Sequence, residues 1–196
     1  MKFFSSDIHF SDENTLKFDN RPFKNVKQFD KHIIKLWNKQ TCKEDTIYVI
    51  GDFIDCDGEG FVEWKKSFPY VKNLKAKVVL IMGNNENRVL KYFFNNNFEL
   101  FKEYCIGLGF KEVHNNLVVK IKDIDFYLTH KPFDYNKDML NLFGHMHRSG
   151  GLYKPFGFNV GCDLNHFRLY SEDDIMDMVE MKKKYWDNDK HLNMKV

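Results

Sequence analysis

Seven side chains that commonly bind metal ions occur at five places along this chain of 196 residues. Each place follows a short apolar run, and two places carry a pair of ligand types two residues apart. Side chains alternate along an extended segment, so the members of such a pair point the same way. The seven residues are Asp7, His9, Asp52, Asn84, His130, His145 and His147.

This set supplies carboxylate oxygens, imidazole nitrogens and an amide oxygen, with no thiolate. Such a mixed shell suits Mn, Fe, Co, Ni or Zn better than Mg or Ca, which favour oxygen ligands alone. Seven ligands exceed one metal site that keeps room for water, whereas two metals that share one carboxylate account for the number. Two metals about 3.5–4 Å apart hold a bridging hydroxide and clamp both oxygens of an in-line displacement at phosphorus. The set therefore predicts a dinuclear site for phosphate-ester hydrolysis.

Short strands that alternate with helices are expected to carry these side chains. The hydrophobic pattern predicts strands over residues 2–5, 46–50, 77–82, 139–143 and 156–161, a hairpin over 117–129, and helices over 26–39, 61–74 and from 84 past 92. Residues 10–24 have the character of a polar loop. Alternating strands and helices are typical of the α/β class, in which ligands bind outside the carboxyl ends of the strands.

Size and charge set limits on domains and partners. The length fits a single domain over residues 1–196, in which 171–196 form a surface helix and tail. With 30 Lys and Arg against 28 Asp and Glu, the formal charge is +2. This balance predicts neither a nucleic-acid surface nor a membrane surface, so a local site must hold any anionic substrate. No apolar run of bilayer length occurs and the four cysteines lack CxxC spacing, so we expect a soluble cytoplasmic protein without an obligate protein partner.

Taken together, the ligand-bearing segments resemble the five ordered blocks of the calcineurin-like metallophosphoesterase superfamily. The blocks are Asp7-x-His9, Gly51-Asp52-x-x-Asp55, Gly83-Asn84-Asn85-Glu86, His130 and Gly144-His145-x-His147. The segment over residues 10–53 further resembles a small bacterial and phage branch of that superfamily. The resemblance implies an αββα sandwich, with two mixed β-sheets flanked by helices and the site at one edge.

The resemblance also implies how the ligands divide between two metals, of which Mn²⁺ is the favoured identity and Fe, Ni, Co or Zn the alternatives. Asp55 and Glu86 are expected to orient the ligands through hydrogen bonds. The first metal takes Asp7, His9 and His147, the second takes Asn84, His130 and His145, and Asp52 bridges the two.

Asn85 departs from the usual pattern of that superfamily, which has at this position a histidine that can protonate the leaving group. A neutral amide cannot act as a general acid at neutral pH. Loss of a general acid typically costs about 100-fold to 10,000-fold in rate, and least where the leaving group needs little help. Members without this histidine often prefer phosphodiesters, so we expect diesters to be favoured over monoesters. We count Asp52, Asn85 and His9 among the catalytic residues.

Arg21 is the residue expected to contact phosphate beyond the metals. A guanidinium matches two phosphate oxygens, and the Arg21 loop lies between two ligand blocks. The alternative is a surface arginine beside the turn residue Pro22. The substrate is expected to be a phosphate ester, with a nucleotide or a nucleic-acid end among the candidates. Two rival functions stay open, namely a phosphomonoesterase or protein phosphatase, and a metal-binding module of the same fold without turnover.

Overall fold

A computed structural model of the protein describes residues 1–56 and 64–186, with the side chain of residue 186 left out. Its first sheet has five strands in the order β10-β1-β2-β3-β4. The strands β1 to β4 run parallel, and β10 is antiparallel to β1. Their bounds are β1 (Lys2–Ser5), β2 (Thr46–Ile50), β3 (Lys77–Ile81), β4 (Glu112–His114) and β10 (Tyr170–Ser171).

The second sheet also has five strands, in the order β5-β6-β7-β9-β8. It mixes parallel pairs, β6 with β7 and β7 with β9, with antiparallel pairs at both edges. Its strands are β5 (Leu117–Ile121), β6 (Ile124–Leu128), β7 (Leu140–Phe143), β8 (Tyr153–Lys154) and β9 (Gly157–Asn159). The predicted hairpin over residues 117–129 is the pair β5 and β6.

Helices pack around the two sheets. They are α1 (Glu13–Phe18), α2 (Val26–Gln40), α3 (Trp64–Ser67), α4 (Asn84–Phe93), α5 (Phe98–Leu108) and α6 (Glu172–Met181), with a π-helical turn after α6 at Lys182–Trp186. Short 3₁₀ segments lie at Phe68–Asn73, Pro132–Asp134 and Cys162–Asn165. Two mixed sheets flanked by helices confirm the predicted α/β class and sandwich.

The alternation of side chains along the first sheet divides the core into two clusters. On β2, Ile47 and Val49 pack with the helices α2, α4 and α5 on one face. Ile50 points to the opposite face, where residues of both sheets and of α6 meet, among them Leu128 and Leu142. A central parallel strand buried on both faces explains why residues 46–50 read as a continuous apolar run.

Some elements differ from the predictions. The segment 10–24 contains the helix α1, capped by Asp12, whose carboxylate accepts from the backbone N–H groups of Asn14 and Thr15. The helix predicted over 61–74 is α3 followed by a 3₁₀ segment, and residues 57–63 lie outside the described part. The sequence patterns gave no warning of α5 or β4.

The C-terminal helix α6 begins at a capping box, in which Ser171 and Asp174 bind each other's backbone N–H groups. One side of α6 is buried, where Ile175, Met178 and Val179 pack with residues of both sheets, and Asp173 and Asp177 on its other side are exposed. The tail from 187 onward is outside the described residues. Within the described ranges, none of the helices combines the length and the apolar character that crossing a bilayer requires.

Candidate metal centre

The ends of five strands bring the seven predicted ligands to one edge of the sandwich. Asp7 and His9 follow β1, Asp52 follows β2, and Asn84 opens α4 after β3. The second sheet supplies only histidines, with His130 after β6 and both His145 and His147 after β7. Because β1, β2 and β3 are parallel and in register, their carboxyl ends lie side by side.

Among the described residues, three sets of ligand atoms lie close enough to hold metal ions, with the atoms of each set within 4.8 Å of one another. One set is Asp7, His9 and His147, and a second is Asp7, Asp52 and His130, so Asp7 belongs to both of these. The third set is Asp19, His147 and Asp163. Asp52 Oδ2 lies 3.6 Å from His9 Nε2 and 3.3 Å from His130 Nε2. The Asp52 carboxylate therefore stands between histidines of the two sheets.

Among the residues that the structure describes, the buried Nε2 atoms of His9 and His130 find no hydrogen-bond partner. His130 is 3% exposed and places Nδ1 2.9 Å from the carbonyl oxygen of Ile50, to which it donates. In the neutral ring, that bond leaves Nε2 as a lone pair directed at Asp52. A buried nitrogen without a partner costs about 1–3 kcal/mol, which a bound cation removes. These donors therefore fit a divalent transition metal.

Two of the histidines are oriented from behind by carboxylates. His9 Nδ1 lies 3.1 Å from Asp12 Oδ2, and His147 Nδ1 lies 2.5 Å from Asp19 Oδ2. Carboxylates in this position fix the ring and its tautomer and raise the basicity of the other nitrogen. Burial raises the pKa of Asp12, but the bonds to His9 and Thr15 outweigh burial and lower it to about 2. Sequence reasoning missed both carboxylates.

Burial and nearby charges shift the pKa values of three histidines at the centre. Burial opposes protonation of His130, yet the Asp52 carboxylate outweighs it and raises the pKa of His130 to about 10. Burial, followed by the charge of His130, lowers the pKa of His145. Burial also works against protonation of His147, but the Asp19 bond and the nearby carboxylates raise its pKa. A metal that binds here must displace the proton of His130.

Five of the seven ligands have a left-handed backbone, which is uncommon for residues other than glycine. The φ angles are 58° at Asp7, 55° at His9, 50° at Asp52, 70° at His145 and 44° at His147. Such positions cost of the order of 1–3 kcal/mol each and persist only where the surroundings enforce them. Their concentration in this one group of residues marks the edge as a functional site.

Glycines next to the ligands permit close approach of the two sheets. A Cβ atom at Gly51 would collide with the ring of His130, and one at Gly144 would collide with Ser6 and lie 2.5 Å from Asp7 Oδ2. The Gly-Asp and Gly-His pairs in the sequence therefore have a packing reason, since any larger residue would separate the ligands.

Glu86 fixes the turn that carries Asp52. Its buried carboxylate accepts from the backbone N–H groups of Asp52 at 2.9 Å, Phe53 at 3.0 Å and Gly83 at 2.9 Å. Burial and the charge of Asp52 raise the pKa of Glu86 to about 7. The carboxylate thus ties the segment after β2 to the start of α4 and agrees with an orienting role.

Arg21 occupies a place different from the one its sequence context indicated. It is 4% exposed. It forms a bidentate pair with Asp163, through Nε at 3.0 Å and Nη2 at 2.8 Å. Its Nη1 and Nη2 also donate to the backbone carbonyls of Ile8 at 2.7 Å and Asp7 at 2.8 Å. The expected contact between Arg21 and phosphate is therefore wrong. Arg21 instead holds the turn that carries the first two ligands.

A cavity of about 360 Å³ opens onto this centre. Asn84, whose Nδ2 lies 2.9 Å from His145 Nδ1, lines it together with Asn85, Arg88 and Phe18. A neighbouring cavity of about 520 Å³ shares Phe18, His145 and His147 with the first and is lined on its far side by Met146 and Arg148. Five of the predicted ligands line the first cavity, namely His9, Asp52, Asn84, His145 and His147, and two of these, His145 and His147, also line the second.

A family model and a relative each match most of this chain. A family model described as calcineurin-like phosphoesterase matches residues 3–169. The uncharacterized protein MJ1445 of Methanocaldococcus jannaschii is 27% identical over 187 residues, which cover 91% of this chain and 90% of that protein.

One of two similar solved structures shares the fold. AQ665, a protein of unknown function from Aquifex aeolicus, superposes with a TM-score of 0.64 at 22% identity, covering 91% of this chain and 98% of that one. The nuclease MPE of Pseudomonas putida gives a TM-score of 0.44 at 20% identity, over 74% of this chain and 60% of that chain.

Proposed function

The chain belongs to the calcineurin-like phosphoesterase family, whose model matches residues 3–169, and from that premise we propose that it hydrolyses phosphodiesters with two divalent transition metals. One observation carries the proposal. The buried Nε2 atoms of His9 and His130, which have no hydrogen-bond partner in the described part of the chain, both face the Asp52 carboxylate. Two nitrogens on either side of one carboxylate match a metal pair that shares this carboxylate.

We assign the residues that would hold the two metals as the family resemblance implies. Asp7, His9 and His147 would hold the first, Asn84, His130 and His145 the second, and Asp52 would serve both. When bound, such a metal pair, Mn²⁺ in our proposal, makes water nucleophilic at neutral pH and polarises the phosphoryl oxygens. The chain itself keeps the imidazoles in the correct tautomer through Asp12, Asp19 and the Ile50 carbonyl. It also keeps the Asp52 turn in place through Glu86.

Two features favour diesters over monoesters. Asn85 has no proton to give to a leaving group, so substrates whose leaving group needs little protonation are favoured. In addition, a phosphodiester carries a substituent on each side of phosphorus, and His145 and His147 line two neighbouring cavities, each with space for one substituent. A monoester needs only one of these cavities.

Phe18 supports a nucleotide or a nucleic-acid end as the substrate. Its side chain is 87% exposed and borders both cavities. An exposed aromatic ring beside a phosphoryl site offers a face on which a base stacks, a contact worth about 1–3 kcal/mol per base. The formal charge of +2 is too small to attract a long polyanion, so a short nucleotide or a strand end fits better.

The test compares bis-p-nitrophenyl phosphate with p-nitrophenyl phosphate in Mn²⁺. We expect a higher kcat/KM for the diester and its loss in Asp52→Ala, while Asp123→Ala, on the exposed turn between β5 and β6, keeps wild-type activity. A clear preference for the monoester would assign the protein to the phosphomonoesterases. Absence of any metal-stimulated hydrolysis would contradict the proposal and favour a metal-binding module of the same fold without turnover.

A further inference from the structure

A third cavity, of about 250 Å³, lies beside the metal centre, and the predicted ligand His130 lines it. The other lining residues come from the ends of β3, β4 and β6 and from α4. We propose that this cavity is a subsite that binds a nucleobase of the substrate through hydrogen bonds. This inference rests on the proposed function, because it names the part of a nucleotide substrate that the same site would select.

The position of the third cavity lets one substrate reach both the metals and the cavity. Asn84 and His145, whose side chains lie 2.9 Å apart, line the first cavity, whereas His130 lines the third. These three residues are the ones assigned to the second metal, so a phosphoryl group on that metal would lie next to both cavities. Asn87 follows Asn84 by three residues on α4, shares its helix face and lines the third cavity.

The third cavity presents hydrogen-bonding groups that the protein leaves unused. Thr129 is 5% exposed, and its hydroxyl has no partner among the described residues. Asn115 and Asn116 lie in the turn between β4 and β5, where asparagines commonly bond the nearby backbone. Neither of their amides has a partner within the part of the chain that the structure describes. Asn87 donates through Nδ2 to the carbonyl of Gly83 at 2.7 Å, which leaves its Oδ1 as an acceptor.

The charge of the lining fits an uncharged ring. Lys131 and Asp134 are exposed and carry opposite charges, and the other lining residues are neutral once His130 binds metal. The two metal ions supply the positive charge for the reacting phosphoryl group, so this cavity is not required for that task. Asparagine amides pair a donor and an acceptor with the edge of a base. Met82, which is 4% exposed, adds an apolar contact for the ring.

Hydrogen bonds in the third cavity would act differently from stacking on Phe18. Stacking tolerates every base, because each base has a π-face. Hydrogen bonds to a base edge discriminate between bases by about tenfold to hundredfold in affinity. The third cavity therefore predicts a preference among bases that survives the loss of Phe18.

The test measures binding of adenosine, guanosine, cytidine and uridine monophosphates, and of inorganic phosphate, to the Mn²⁺-loaded protein. Calorimetry gives the affinities, and bound metal is quantified for every variant. In the wild type and in Phe18→Ala, the preferred nucleotide should bind about tenfold to hundredfold more tightly than the weakest. In Asn115→Ala/Asn116→Ala the four affinities should converge, while inorganic phosphate, which has no base, should bind as before.

Two single variants complete the test. Thr129→Val keeps the shape of the side chain and removes the hydroxyl, so it should weaken the preferred nucleotide by about twofold to tenfold. Asn73→Ala removes an exposed asparagine outside the cavity and should retain the full preference.

The outcomes separate this inference from the proposed function. Equal affinity of the wild type for the four nucleotides, or a preference retained in Asn115→Ala/Asn116→Ala, overturns the base subsite even if diesters are hydrolysed. Equal weakening of nucleotides and inorganic phosphate in that variant also overturns it, because the contact would then be to phosphate. A base preference that is lost in that variant supports the subsite even if no diester is turned over.

Discussion

Two arginines on opposite sides of the metal centre show how the same residue type acquires different tasks. The buried group of Arg21, Asp163 and the carbonyls of Asp7 and Ile8 is here called the floor. The group of Phe18, Asn85 and Arg88, which lines the cavity, is called the mouth. In the floor, the carboxylate and carbonyl groups bind the guanidinium on every side within the interior. In the mouth, Arg88 donates to the amide oxygen of Asn85 and lines the cavity. Burial and position in the fold, rather than residue type, decide whether an arginine supports the ligands from behind or lines the cavity in front of them.

The largest expected effect comes from breaking the floor. Arg21→Met keeps much of the side-chain volume but leaves Asp163 buried without its partner. Removing one member of a buried ion pair costs about 3–5 kcal/mol, so the free energy of unfolding should fall by that amount in urea titrations. In the double variant Arg21→Met/Asp163→Leu, no unpaired charge remains and part of the loss should be recovered. An unchanged stability in Arg21→Met would remove the distinction between floor and mouth.

Asp30 on α2 extends the floor outward, since it accepts from the backbone N–H of Ser11 at 3.2 Å. Burial raises its pKa from 3.8 to about 6. The folded state therefore binds the proton of the Asp30 carboxyl more tightly than the unfolded state does. The stabilisation from this protonation is full below pH 3.8 and is lost as the pH rises through 6.

Asp30→Asn keeps an acceptor for Ser11 and removes the charge. At pH 8 it should raise the free energy of unfolding by about 3 kcal/mol at most, from 1.36 kcal/mol per pKa unit. The gain should vanish near pH 3. Urea titrations across this pH range measure it, and a gain that is independent of pH would contradict the assignment.

Glu86 connects the floor to the mouth, because it holds the Asp52 turn against the start of α4. In Glu86→Gln one oxygen becomes an amide nitrogen that faces backbone N–H groups, so we expect a loss of about 1–3 kcal/mol in stability. Misplacing Asp52 should also weaken metal binding about 10-fold to 100-fold. Glu103→Gln, an exposed change on α5, is the matched control. Calorimetric titration with Mn²⁺ measures the metal affinity of each variant. Equal Mn²⁺ affinities of Glu86→Gln and Glu103→Gln would argue against the orienting role of Glu86.

The smallest effect on stability is expected in the mouth. Phe18 is 87% exposed, so Phe18→Ala should leave the urea midpoint unchanged. If Phe18 stacks on a base, KM for a dinucleotide should rise by about tenfold, within the 1–3 kcal/mol of such contacts. KM for bis-p-nitrophenyl phosphate should change less. Equal changes for both substrates would oppose a nucleotide preference.

The sequence predicted the strand ends well, because each ligand follows a short apolar run, and such a run is typical of a buried strand. It failed where the decisive partner is distant. The partner of Arg21 lies 142 residues away, and His147 meets Asp19 over 128 residues. No local pattern carries such information. The helix α1, with six residues, is also too short for a helical period to be recognised.

Anomalous scattering from a crystal soaked in Mn²⁺, recorded on both sides of the manganese edge, tests the central claim most directly. We predict two peaks about 3.5–4 Å apart with Asp52 between them, one beside His9 and one beside His130. A single peak, or none beside these histidines at saturating Mn²⁺, would contradict the account.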